Sequence, residues 1–107
     1  MAAATAVVTR RGNDQFRGIF TDTWAVTCTL DSASVADQAA ATDTVTVSGV
    51  ALGDMVLGMS ASVDEAGLVR RAYVSAANTV TIATTNTTGG AVNLASCTID
   101  LVIARML

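Results

Sequence analysis

From residue 42 to residue 107 the apolar residues of this chain fall in short runs of period two, each closed by Gly, Asn or Asp, and proline is absent throughout. Such alternation puts successive side chains on opposite sides of an extended strand, so one side can bury while the other meets water. A surface helix would need an apolar stripe of period 3.6, and no segment carries a convincing one. The pattern commits the chain to an all-β fold.

Residues 23–31 give the clearest strand, with Trp24, Val26, Cys28 and Leu30 on one side and Thr23, Ala25, Thr27, Thr29 and Asp31 on the other. Residues 32–42 are Ala-rich but lack periodicity and read as a loop. Further strands are expected at 42–48, 55–59, 68–76, 79–84 and 96–104, separated by Ser48-Gly49, Gly53-Asp54, the acidic stretch 62–67, Ala77-Asn78 and Asn86-Thr-Thr-Gly-Gly90. Asn tolerates positive φ, which predicts a tight hairpin at Ala77-Asn78. Six strands at this spacing imply a small antiparallel β-sandwich or jelly-roll-like barrel. Its inward residues are expected to be Trp24, Val26, Val45, Val47, Val80, Ile82, Ile99, Leu101 and Ile103. Residues 1–18 show no sustained period and read as an extended N-terminal arm or edge segment, leaving 19–107 as the sandwich domain.

Charged residues are 14% of the chain, against roughly 25% in an average soluble protein, while 51% is apolar. A domain of 107 residues exposes most of its surface, so its exterior is short of charge. Two physical readings follow. Other subunits cover part of the surface, or the sixteen Thr make it wettable without charge. The first predicts a homo-oligomer. Net charge is −3, and the six basic residues, all Arg, form no stripe able to neutralise several phosphates, which argues against nucleic acid. No apolar stretch reaches the roughly 18 residues of a membrane span. The opening Met1-Ala-Ala-Ala-Thr-Ala-Val-Val8 has no basic residue ahead of its apolar part, so folding in a cytoplasm is expected.

The chain has neither His nor Lys. This excludes Ser-His-Asp and Cys-His catalysis, His-containing zinc sites, Schiff-base chemistry and a P-loop. No catalytic residue, cofactor or metal is expected. Asp64-Glu65 is a carboxylate pair whose members point to opposite sides of an extended segment, as at a solvated loop tip. An oxygen-only Ca²⁺ site has no Asp-rich loop to support it. Cys28 and Cys97 share the apolar phase of their strands, as buried thiols or, if those strands are neighbours, as a disulfide. Asn86-Thr87-Thr88 matches a glycosylation sequon but reads as turn chemistry. Arg70-Arg71 must send one guanidinium to each face, and the inward one needs a carboxylate or a subunit boundary. Arg10, Arg11, Phe16, Arg17 and Phe20 combine Arg with aromatic rings in an aromatic-poor chain, a composition favoured at interface hot spots.

Thr44-Val-Thr-Val-Ser-Gly-Val-Ala-Leu-Gly-Asp54, then Tyr73-Val-Ser-Ala-Ala-Asn-Thr-Val-Thr-Ile82, Asn86-Thr-Thr-Gly-Gly-Ala-Val92 and the closing strand resemble small tailed-bacteriophage virion proteins with a β-sandwich domain, of the capsid decoration, cement or head-fibre type. The resemblance spans residues 42–106. It implies a non-enzymatic structural protein on the capsid exterior, made in a bacterial cytoplasm. It also implies a homo-oligomer, a trimer by analogy with shell symmetry, whose N-terminal arm grips the major capsid protein. Arg10, Arg11, Phe16, Arg17 and Phe20 are then the candidate capsid contacts. Related domains in tails and fibres imply an alternative, a receptor- or carbohydrate-binding domain. Sugar sites present exposed rings, and the core phase of Trp24 counts against that alternative.

Overall fold

The computed structural model describes residues 3–12, 19–31, 34–64 and 67–106. They form seven strands: β1 (Thr5–Arg11), β2 (Phe20–Leu30), β3 (Ala40–Thr46), β4 (Met55–Ala61), β5 (Val69–Ala76), β6 (Thr79–Thr85) and β7 (Cys97–Met106). No helix is present among them. One sheet has the order β1-β2-β7-β4 and the other β3-β6-β5. Every strand pair within them is antiparallel. Two apolar faces pack against each other, so the molecule is sandwich-like.

The alternation read from the sequence sets the core. All nine residues expected inward are 1% exposed or less. Cys28, Leu30, Val50, Val74 and Cys97 join them in one cluster. Each buried Val, Leu or Ile contributes about 1.5–3 kcal/mol relative to exposure, so the β2–β7 pair, which spans Phe20 to Met106, carries much of the fold. At the β5–β6 hairpin Asn78 takes φ 61°, the left-handed conformation its side chain tolerates.

The six expected strands are present, and the seventh lies within the stretch expected as an arm or edge segment. Residues 5–11 run along β2 as the edge strand of the larger sheet. Val7 and Ala4 pack against the core, while the rest of β1 is exposed on both sides. An edge strand that buries so little needs no alternation, which is why the sequence shows none. Ahead of it the chain reaches the other sheet: Ala3 bridges Thr44 in parallel, and the Ala4 N–H donates to the Thr44 carbonyl at 2.8 Å. Ala6, at φ 52°, and a register break between Thr5 and Val8 make the switch between sheets. The N-terminal segment thereby closes the β1/β3 margin. The β4/β5 margin instead holds a cavity of about 310 Å³, lined by Val56, Gly58, Met59, Arg70, Arg71 and Ala72.

Candidate functional site

Two polar clips cap opposite ends of the sandwich. At the first, Trp24 enters the core from β2 and its indole N–H donates to the Ser48 carbonyl at 3.2 Å. The Arg11 and Arg105 guanidinium groups lie 4.8 and 5.2 Å from the ring centroid. Each cation is also neutralised: Arg11 Nε lies 2.6 Å from Asp22 Oδ2, and Arg105 meets both Asp54 oxygens at 2.9 Å. Arg105 Nη2 donates in addition to the Gly49 carbonyl, and the Gly49 N–H donates to Asn78 Oδ1. Gly49 has φ 95°, and a Cβ there would stand 2.7 Å from Arg11 Nη1. The clip thus needs glycine for its backbone conformation, and a Cβ would also push the mobile end of Arg11 aside.

Asp54 is 4% exposed on its side chain, so its charge depends on its partners. The hydrogen bonds from Arg105 hold its carboxyl below the ordinary value of 3.8; burial opposes this, and the Ala51 N–H assists. A carboxyl whose pKa is lowered by folding adds stability that is present above its unfolded value and lost as pH falls through the folded one. Between about pH 5 and pH 2, wild type is therefore expected to lose stability that an Asp54→Asn variant lacks at neutral pH already. Melting curves of the two should converge in acid, and a constant difference between them would show that Asp54 does not carry this dependence.

At the other end Asn86, fully buried, ties three segments together. Its amide nitrogen donates to the Val35 and Gly90 carbonyls, both at 2.8 Å, while its Oδ1 accepts from the Thr88 N–H and hydroxyl. Its own backbone exchanges bonds with Gln38 and Ala39. The sequon asparagine is therefore an internal tie, in keeping with its reading as turn chemistry.

Cys28 and Cys97 are free and buried, so the disulfide reading is not realised. The Cys97 thiol points to the Leu30 carbonyl at 3.7 Å. Burial raises the pKa of Cys28, with Asp100 and Cys97 adding to the effect. Both thiols should resist alkylation in the native protein and react fully in denaturant, each adding one adduct to the intact mass. Rapid native labelling of Cys28 at neutral pH would contradict this.

The Arg70-Arg71 pair divides between faces as expected. Arg70 takes the inward phase, where its Nε donates to Thr84 Oγ1 at 3.3 Å and Asp43 on the same face is 4% exposed. Arg71 faces outward with its guanidinium 4.6 Å from the Tyr73 ring centroid. Among the interface candidates, Arg11 is engaged with Asp22 and Trp24, and Arg10 lies exposed beside Ala25 on the outer side of the larger sheet. Phe20 is half-buried at the start of β2, and Phe16 and Arg17 lie outside the described residues. Asp22, Asp54 and Arg105 carry no local signal of their roles, which depend on segments brought together by the fold. Among the described residues no group of three or more Cys, Asp or Glu is placed to hold a metal ion.

The two outer faces differ in character. Register puts Thr42, Thr44, Thr46, Thr79, Thr81 and Thr85 on the outside of the smaller sheet. Apart from Thr81, which is buried and donates to Ser75 Oγ, these residues make a face that is wettable with Arg71 as its charge. The larger sheet instead presents Val8 and Val102 at 61% and 46% exposure, with Met55 and Leu57 exposed at its β4 edge. Comparison with protein-family models, curated proteins and solved structures finds no match to this chain.

Proposed function

We propose that this protein is a structural component of a tailed-bacteriophage virion, a cement or decoration protein that sits on the capsid exterior as a homo-oligomer and bridges major capsid proteins. The observation that carries this reading is where the polar chemistry goes. The Arg11–Asp22 and Arg105–Asp54 pairs and the Asn86 tie bind the chain to itself, while the broad outer faces hold mostly Thr and apolar side chains, with Arg10, Arg71 and Asp100 as scattered charges. Such a molecule acts through its surfaces. The motif order across residues 42–106 supports the phage assignment.

With Arg11 engaged internally, the capsid grip falls to Phe16 and Arg17 in the connection between β1 and β2 and to Phe20 at the start of β2, which supply the aromatic and cationic anchors. Cementing then follows from mass action. A protein that binds only the assembled shell stabilises it by RT ln(1 + [L]/Kd) per site, about 2.7 kcal/mol at a hundredfold excess over Kd. The test is to add purified protein to heads that lack it. Phe16→Ala and Arg17→Ala should each weaken occupancy by more than about 1 kcal/mol, and full occupancy by both would remove this grip. Labelling in the intact virion tests the assignment itself, since a position only on the tail would favour the receptor-binding alternative. That second reading draws on Tyr73, which stands among the threonines of the smaller sheet. Trp24, the largest ring, is buried and takes no part.

A further inference from the structure

The outer face of the β1-β2-β7-β4 sheet is complementary to itself. Antiparallel register sets its rows: Arg10, Ala25, Val102 and Gly58 lie side by side, and Val8, Thr27, Asp100 and Ser60 form the next row. Gly58 and Ala25 flank Val102, so no bulky side chain rises at the centre and a second sheet can approach to the usual spacing of about 10 Å.

Arg10 and Asp100 are the charges in these two rows, and they have opposite signs. Two strand spacings and one residue repeat place them roughly 12 Å apart, too far for one molecule to join them. Among the described residues neither takes part in an ion pair, and Asp100 accepts only a hydrogen bond from the Thr27 hydroxyl at 2.9 Å. A partner of uniform sign would set one of these charges against its like. A second copy related by a two-fold axis lying between the sheets sets each Arg10 over the other's Asp100, with Val102 and Ala25 at the centre.

We infer that two copies of this chain pair through this face, with reciprocal Arg10–Asp100 contacts around an apolar centre. An isologous contact of this kind yields a pair rather than the three-fold ring that shell symmetry alone suggests. It is measured on the isolated protein, so it stands or falls separately from head decoration.

Sedimentation of the full chain at micromolar concentration should give twice the 10.8 kDa of one copy. Because each contact occurs twice in the pair, Arg10→Glu or Asp100→Arg alone should weaken association by at least about tenfold. An equimolar mixture of these two variants should recover pairing, since their heterodimer restores opposite charges at both contacts, and native mass spectrometry distinguishes it from either homodimer. Val102→Asp should give a monomer with an unchanged β-type circular dichroism spectrum. If that variant loses its fold, the exposed charge variants still decide. A monomeric wild type, a three-copy particle, single charge variants that pair as wild type does, or a mixture that stays monomeric would each overturn the inference.

Discussion

Trp24→Ala is expected to lower the unfolding free energy by about 4 kcal/mol, within the range for removing a large aromatic side chain from a core. The ring is 1% exposed, and its loss leaves a cavity between the β2 strand and the loop that follows β3. The same change removes the surface on which Arg11 and Arg105 lie, while leaving their ion pairs in place. Since domains of this size are stable by only about 5–15 kcal/mol, the variant should melt far below wild type or fail to accumulate. Trp24→Phe separates the contributions. It keeps most of the buried ring but strands the Ser48 carbonyl, so it should cost about 1–2 kcal/mol. Equal losses for Phe and Ala would mean that the indole hydrogen bond, rather than ring volume, anchors this end.

Asn86→Ala is expected to cost about 3 kcal/mol or more, because it removes four hydrogen bonds made by a fully buried side chain, each contributing about 0.5–1.5 kcal/mol net. Those bonds run to the Val35 and Gly90 carbonyls and from the Thr88 N–H and hydroxyl. Asn86→Asp is the sharper probe. It retains the acceptor for Thr88 but presents a carboxylate to two carbonyls, so at neutral pH it should be at least as damaging as Ala. In acid, where the carboxyl is protonated and can again donate, its deficit should shrink. Chemical denaturation of the three proteins at two pH values checks this, and Ala and Asp variants within about 0.5 kcal/mol of wild type would show that the tie contributes nothing. The two ends of the sandwich lie on different segments, so the Trp24 and Asn86 effects should add.

The legible part of this fold is local. Residues 97, 99, 101 and 103 are apolar while 98, 100 and 102 face out, and this phase follows from a backbone period of two whatever the neighbouring strand is. The same reasoning found β2, β3, β5 and β6, and it placed the Asn78 turn, whose conformation depends on one side chain. It did not find β1 as a strand. An edge strand with most of its side chains exposed is held by backbone bonds to β2, and these carry no signature in side-chain order.

The candidate surfaces were legible only in outline. Arg10 and Arg11 are neighbours of identical type, yet one faces outward beside Ala25 and the other lies over Trp24. Adjacency in a strand guarantees that they part, but which of them meets a carboxylate depends on where β2 puts Asp22.

By itself, then, the sequence determined an all-β domain without His or Lys chemistry and the identity of its inward residues, because alternation, turn residues and missing residue types are properties of short segments. The tertiary structure decided the strand order, the closure of one margin by Ala3 and Ala4, and the placing of Val8 and Val102 among the polar residues on the outside of the larger sheet. It also decided that Arg105 meets Asp54 and Asn86 meets Val35, each pair 51 residues apart in the chain. Contacts over such separations depend on which strands become neighbours, and that choice is made by packing two sheets around one core rather than by any residue's own preference.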